Sequence, residues 1–339
     1  MVKINDSESS SNVKNNLTIV MYHFVRDFMK SRFPGIKGLT IDKFKGQIQY
    51  LRKHYTFISA STLIDVVAGA AELPKNPVLL TFDDAYIDHY TSVFPTLDEF
   101  GMSGLFFPPA RAVLENKVLD VNKIHFILAS VDDHKKLNDE LFRVMAEFRT
   151  EFNLPPHSHY QQMVDISGNR WDPPEVAFFK RMLQRELPEA ARVRIVNALF
   201  GKFVTADETA FARELYLDVD QIRCMQRHGM YFGSHGYNHA WLNHLLPAEQ
   251  EKEIDLSIRF LKEINVPADR WIISYPYGGW NDSLLQIAKR KGCVAGLTTH
   301  TAVANLAHDN PLLLPRLNTN DLPFSTDAAE NIRHDKVAS

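Results

Sequence analysis

Seven short runs of unbroken apolar character constrain this chain more than any other feature: Leu17 to Tyr22, Val78 to Phe82, Gly104 to Phe107, Met230 to Gly233, Trp271 to Tyr275, Val294 to Thr298 and Leu312 to Leu317. A strand with one face in water alternates apolar and polar residues, whereas a strand covered on both faces need not, so these runs indicate strands of a parallel sheet. Helical patterns lie between them. Phe44, Ile48 and Leu51 fall at helical spacing, as do Ile254, Ile258, Leu261 and Ile264, the latter after an acidic first turn from Glu249 to Glu253. Strands alternating with helices predict either a βα barrel or a doubly wound sheet.

The rhythm breaks from about Glu115 to Tyr216, where no strand pattern is evident. Leu137, Leu141, Val144, Met145, Phe148 and Phe152 make one apolar stripe and Val176, Phe179, Met182 and Leu183 another. Pro155-Pro156, Pro173-Pro174 and Pro188 punctuate the stretch, because proline is excluded from helix interiors but starts or separates helices well. This segment reads as a helical insertion.

The 339 residues carry a formal charge of −3, with both signs mixed along the chain, so there is no basic face to neutralise phosphates and nucleic acid is not an expected partner. The polar start, Met1 to Asn16, lacks the basic and apolar segments of a secretory signal. The sequence therefore reads as cytoplasmic or peripheral to the inner membrane, with no transmembrane segment. Cys224 and Cys293 are too few for a disulfide framework and read as small buried hydrophobes.

Three motifs carry chemistry. The run Val78 to Phe82 ends in Asp83-Asp84, and strand C-terminal ends are where ligand sites assemble in parallel α/β folds. Adjacent carboxylates there can divide labour, one on a cation and one as a general base, although an Asp pair also caps a following helix well. His235 and His239, four apart after Met230 to Gly233, can converge on one metal, and Gly236 and Asn238 favour a curled loop over a helical turn. Two imidazoles and one carboxylate leave open coordination positions, the mark of a catalytic rather than a structural site. The third motif, Tyr275 to Trp280, ends an apolar run in a turn with Pro276, Gly278 and Gly279, where Tyr277 and Trp280 can stack on a sugar ring or simply pack a tight turn.

Taken in this order, the three motifs resemble the polysaccharide deacetylase family, the NodB-type carbohydrate esterases of family 4. Met21-Tyr22-His23, Phe94 to Leu97 and Leu105 to Phe107 extend the resemblance to roughly residues 17–112 and 217–323, in the branch that carries Tyr-Pro-Tyr-Gly. The resemblance implies a distorted, incomplete (β/α)7-type barrel closed by Leu312 to Leu317. With the residue pattern, this divides the chain into polar tails at 1–16 and 324–339, a barrel of 17–114 and 217–323, and a helical insertion of 115–216, outside the resemblance and expected to cover the mouth. The resemblance also implies Asp83 as base, with Asp84, His235 and His239 around one divalent ion, zinc first with cobalt, manganese, iron or nickel as alternatives. By the same resemblance Tyr277 offers its backbone N–H to the oxyanion, and His23 and Trp280 face substrate.

Departures from the family pattern touch the chemistry. Ala85 and Gly236 replace the usual Gly and Ser or Thr. Ser274 stands where an Arg often orients the base, a task that Arg316 in Leu314-Pro315-Arg316 is placed to take over. The general acid is sought at His300 or His23, while His125 in the insertion reads as a packing residue.

The implied activity is hydrolysis of an N-acetyl or N-formyl group on an amino sugar, nucleotide-linked or lipid-linked, on the way to a surface polysaccharide or lipopolysaccharide. Two other classes stay open: a carbohydrate-binding protein that has lost turnover, and a metallohydrolase of a non-sugar amide. Oligomeric state is not legible.

Overall fold

A computed structural model describes residues 15–165, 167 and 172–328 of the chain. Most of the two polar tails therefore lies outside the described residues. The chain forms two compact units, one of residues 1–26, 38–115 and 213–339, the other of 27–37 and 116–212.

The first unit is built on short strands, most of them parallel and within the predicted apolar runs. They are β1 (Asn16–Tyr22), β2 (Thr56–Phe57), β3 (Pro77–Asp83), β4 (Leu105–Phe107), β5 (Tyr231–Phe232), β6 (Trp271–Ser274), β7 (Cys293–Leu297), β8 (Ala304–Asn305) and β9 (Leu317–Asn318). Strands β2 and β8 fall outside those runs, and β8 pairs with β1 antiparallel. Strands β5, β4, β3 and β1 pair in that order, in parallel, and β9 joins β1 in parallel through Val20 and Leu317. Strands β6 and β7 form a separate parallel pair. Single parallel bridges, Ser234 with Ile273 and Leu297 with Leu314, link this pair to the larger sheet on either side and complete a ring. Those two weak joints are what make the barrel distorted. The run Leu312 to Leu317 is not one strand: Pro311–Leu313 is a single 3-10 turn, because Asn310 caps Leu312 N with its side chain, and only the last residue enters β9.

Alternation along the strands separates two apolar layers. Val20, Tyr22, Leu80, Phe82, Phe106 and Ile273 pack with Phe44, Ile48 and Leu51 of the helix Ile41–His54. Ile19, Leu79, Leu105, Phe107, Ile272 and Leu297 form the other, inner layer. Thr81 and Asp83 share the parity of Leu79, and Ser274 that of Ile272, so the inner face turns from apolar to polar at the strand C-terminal ends. The inner layer is tight there: a Cβ on Gly233 would lie 2.5 Å from the Phe107 ring and 2.6 Å from the Ile272 carbonyl.

The second unit is helical, as its stripes predict. Its helices include Asp120–Ala129, His134–Phe152, Pro174–Arg181 and Glu189–Phe203. Leu137, Leu141, Val144 and Met145 are the buried face of the longest, which Asp133 caps at Lys136 N and which Asn153 ends in the left-handed conformation at φ 49°. Val176, Phe179, Met182 and Leu183 are buried as well. Phe33, from the short segment between β1 and the helix Ile41–His54, packs edge-on against Phe126 at 5.0 Å and Phe211 at 5.8 Å, which accounts for residues 27–37 belonging to this unit. Among the described residues no helix is long and apolar enough to cross a membrane.

Candidate active site

Strand β3 delivers Asp83 to the inner face and then turns sharply, with Asp84 at φ 77° and Ala85 at φ 57°. Left-handed backbone costs an alanine roughly 1 kcal/mol, which is the physical reason a glycine suits this position. The turn is held by Asp84 N donating to the Phe107 carbonyl at 3.1 Å and Leu217 N donating to the Ala85 carbonyl at 2.8 Å.

Asp83 and Asp84 thereby point into different surroundings. Asp83 is clamped by Arg316, fully buried, whose Nη1 donates to Oδ1 at 3.1 Å and Nη2 to Oδ2 at 2.8 Å. Ser274 Oγ adds a donor to Oδ2 at 3.2 Å and itself accepts from Arg316 Nη2 at 3.1 Å. Arg316 is fixed further by Thr81 Oγ1 and by the Thr298 carbonyl. Burial alone would raise the Asp83 carboxyl, but the charges of Arg316, His235 and His23 outweigh it and hold it below the ordinary carboxylate range. The arginine absent from the Ser274 position is thus present in space, delivered by the residue that precedes β9.

Asp84 Oδ2 accepts from Tyr86 Oη at 2.7 Å, whereas Oδ1 is buried and has no hydrogen-bond donor. Facing Oδ1 are His235 Nε2 at 3.5 Å and His239 Nε2 at 3.3 Å, and the three ligand atoms of the group all lie within 4.8 Å of one another. His235 Nδ1 donates to the Ser274 carbonyl at 2.6 Å, which leaves the Nε2 lone pair directed at a carboxylate oxygen. Lone pairs turned on a common buried point repel unless a proton or a cation stands between them, so this donor set fits a divalent ion with open positions. Burial works against the charged form of His235, yet the Asp83 charge and the Asp84 contact raise its pKa, while burial prevails at His239 and lowers it.

The two histidines sit on a loop, not a helical turn, with Gly236 at φ 69° and His239 at φ 57°. Glu253, buried on the helix Pro247–Glu263, holds it by accepting from Tyr237 N at 3.1 Å and Asn238 N at 3.0 Å and from the Asn238 side-chain amide. Ser257 on the same helix bonds Ser234 Oγ at 2.6 Å. Neither residue is singled out by sequence reasoning, since nothing local marks a helical Glu fourteen residues past His239 as a loop anchor.

The turn after β6 places Tyr277 at φ 58°, its ring edge-on to His239 at 4.7 Å and stacked on Trp241 at 4.5 Å and 7°. Trp241 in turn stacks on His244 at 5.3 Å. Gly278 is required there because a Cβ would collide with Thr299 Oγ1. Trp241 is an aromatic that the sequence reading passed over; Trp280, which it favoured, is 41% exposed. His23 is exposed at the end of β1, on the parity of Ile19, and is near enough for its charge to act on both Asp83 and Asp84. His300 is also exposed, and its contacts are through its backbone, which accepts from Arg316 N at 2.9 Å and donates to Thr298 Oγ1 at 3.2 Å. His89, buried behind the site, donates from Nε2 to the His23 carbonyl at 3.1 Å, and burial pushes its pKa down to about 4.

Comparison with known proteins bears on this geometry. The polysaccharide deacetylase family model matches residues 190–296, the stretch that carries both histidines and the Tyr277 turn. Over that stretch the chain is similar to the polysaccharide deacetylase family. Among curated relatives, the deacetylase-family protein YxkH of Bacillus subtilis, named there a putative polysaccharide deacetylase, is 32% identical over 90 residues, 26% of this chain and 32% of its own length. The poly-β-1,6-N-acetyl-D-glucosamine N-deacetylase of Escherichia coli is 30% identical over 160 residues, 47% of this chain and 21% of its own length. The matches thus span only a fifth to a third of those relatives. Among solved structures, the deacetylase PplD of Streptococcus pyogenes in complex with acetate superposes with a TM-score of 0.54 at 20% identity, over 90% of this chain and 92% of that one. IcaB from Ammonifex degensii gives 0.53 at 19%, over 90% and 91%. At such identities the likeness is one of fold, and it identifies the ring of β1 to β9 as a polysaccharide deacetylase barrel. Asp83 and Asp84 lie outside the stretch matched by the family model, and the fold brings them to it.

Proposed function

We propose that this chain is a polysaccharide deacetylase that removes the N-acetyl group from an amino-sugar residue, using one divalent ion, zinc first, held by Asp84, His235 and His239. The observation that carries the reading is the buried, donorless Asp84 Oδ1 faced by two imidazole nitrogens, directly beside a carboxylate that Arg316 keeps ionised. When bound, the ion supplies Lewis-acid activation of water and of the acyl carbonyl.

The remaining work falls to the chain's own side chains. Asp83 accepts the proton of the attacking water. Its Oδ1 receives a single donor, Arg316 Nη1, and so keeps a lone pair for that proton, while the fork of Arg316 fixes the carboxylate plane. The departing amine needs a proton, and the electrostatic reach of His23 to both aspartates supports it over His300 for this step. The Tyr277 backbone N–H meets the oxyanion, and the rings of Tyr277 and Trp241 give a flat wall against which a pyranose packs. A binding protein without turnover is disfavoured, because it has no use for a base clamped in this way and the arginine it appeared to lack is supplied by Arg316.

Similarity to the poly-β-1,6-N-acetyl-D-glucosamine deacetylase supports β-1,6-linked N-acetylglucosamine as the first substrate to try, in a surface polysaccharide. Acetate release from such oligosaccharides, and from nucleotide-linked and lipid-linked N-acetyl and N-formyl amino sugars, is the test. Release that a chelator abolishes and zinc restores is the expected result. A zinc-loaded protein that deacylates none of these sugars would sink the substrate class, and release indifferent to chelation would sink the role of the ion.

A further inference from the structure

The helical unit contains an open cavity of about 330 Å³, and every described residue that lines it belongs to this unit. Ile36, Leu128, Ala129 and Val176 line it with apolar surface, and Ile36 and Val176 are buried. The polar side has a different construction. Asp172, only 12% exposed at its side chain, accepts Lys37 Nζ on Oδ1 at 3.0 Å and Lys180 Nζ on Oδ2 at 2.7 Å. His125 and His134 also border the space, with His134 Nε2 3.4 Å from the Leu128 carbonyl.

Among the described residues, one carboxylate between two ammonium groups leaves one net positive charge at the mouth. Each ammonium has three N–H donors and gives one to Asp172, so both retain donors for a ligand while the shared carboxylate keeps them together. A neutral apolar ligand would leave that charge unused, and a dianion would bring a second charge with no partner, which is costly beside apolar walls. The volume is at the small end for ligand pockets, roughly 300–1,000 Å³. These features call for a compact molecule with one negative head and one apolar body.

We propose that the helical unit binds a small amphipathic monoanion, an aliphatic carboxylate of short to medium chain length, with its head on Lys37 and Lys180 and its chain against Ile36 and Val176. Octanoate is a suitable probe, titrated into the full chain by calorimetry in an excess of acetate, which saturates carboxylate sites that have no apolar wall. Saturable one-to-one binding is expected in that excess, with octanol at least tenfold weaker. Lys180→Gln should weaken octanoate at least tenfold and Val176→Trp, which fills the cavity, should abolish it. Lys180→Gln removes the charge while keeping most of the side chain, so it tests the head group separately from the packing change in Val176→Trp. Absence of saturable binding, displacement by acetate, octanol binding as tightly as octanoate, or octanoate binding undiminished in either variant would each overturn the proposal.

Discussion

Asp83 and Asp84 are neighbours in sequence, equally buried, and surrounded in opposite ways. Around Asp83 the charge is answered: a guanidinium grips both oxygens and a serine hydroxyl adds a further donor. Around Asp84 one oxygen is answered by Tyr86, and the other faces the Nε2 atoms of two imidazoles. Burial works against the charged form of both carboxylates, so what sets them apart is what their neighbours supply. A complete hydrogen-bond shell makes a fixed, ionised group, whereas a shell with an opening of the right sign makes a cation ligand. Two surroundings thus follow from one dipeptide because the left-handed turn at Asp84 sends consecutive side chains to different neighbours.

The sharpest way to break this contrast is to neutralise each carboxylate separately. Asp84→Ala, like His235→Ala or His239→Ala, should empty the site of divalent ion and reduce turnover to background, whereas Asp83→Asn should lower kcat by about 10²–10⁴ with the ion content unchanged. Metal analysis by mass spectrometry beside the kinetics decides it, and an Asp83→Asn protein as metal-poor as Asp84→Ala would dissolve the distinction.

Next in size is Arg316→Met, which leaves Asp83 buried without its partner and should cost about 3–5 kcal/mol of unfolding free energy. Because the arginine lowers the Asp83 pKa, its removal raises it, and the acid limb of the kcat/KM profile should move to higher pH. An unmoved acid limb in a folded Arg316→Met protein would show that Asp83 is not the base that titrates.

The smallest effect belongs to His89, behind both groups. Its folded pKa of about 4 lies below the unfolded value of roughly 6.5, so its contribution is fully present above the unfolded pKa and is lost as the pH falls through the folded one. Denaturant titrations should show a loss on the order of 3 kcal/mol between those limits, absent in His89→Leu. Identical pH slopes in the two proteins would contradict this.

Much of the site was legible because its chemistry is local. Asp83-Asp84 follows an apolar run, and His235 and His239 follow another, so strand ends and ligand types were evident from the residues themselves. The helical stripes of 137–145 and 176–183 were equally plain, since periodicity requires no partner to be seen. The anchors were not. Glu253 and Ser257 look like ordinary positions on an amphipathic helix, and only packing turns them toward the His235 loop. Trp241 carried no signal beyond being aromatic. The run Leu312 to Leu317 misled as a strand because apolar content cannot distinguish a buried 3-10 turn from extended backbone.

By itself, then, the sequence determined the strand and helix menu, the parallel architecture, and the residue types able to hold a cation, because each depends on short-range pattern. Only the tertiary structure decided which groups meet. Arg316 reaches Asp83 across 233 positions of chain, and Ser274 across 191. Such encounters depend on ring closure through a few backbone bridges, and no local preference encodes them. The physical reason is that a carboxylate's role is set by the donors and charges within a few ångströms, and in a barrel those arrive from strands that are remote in sequence.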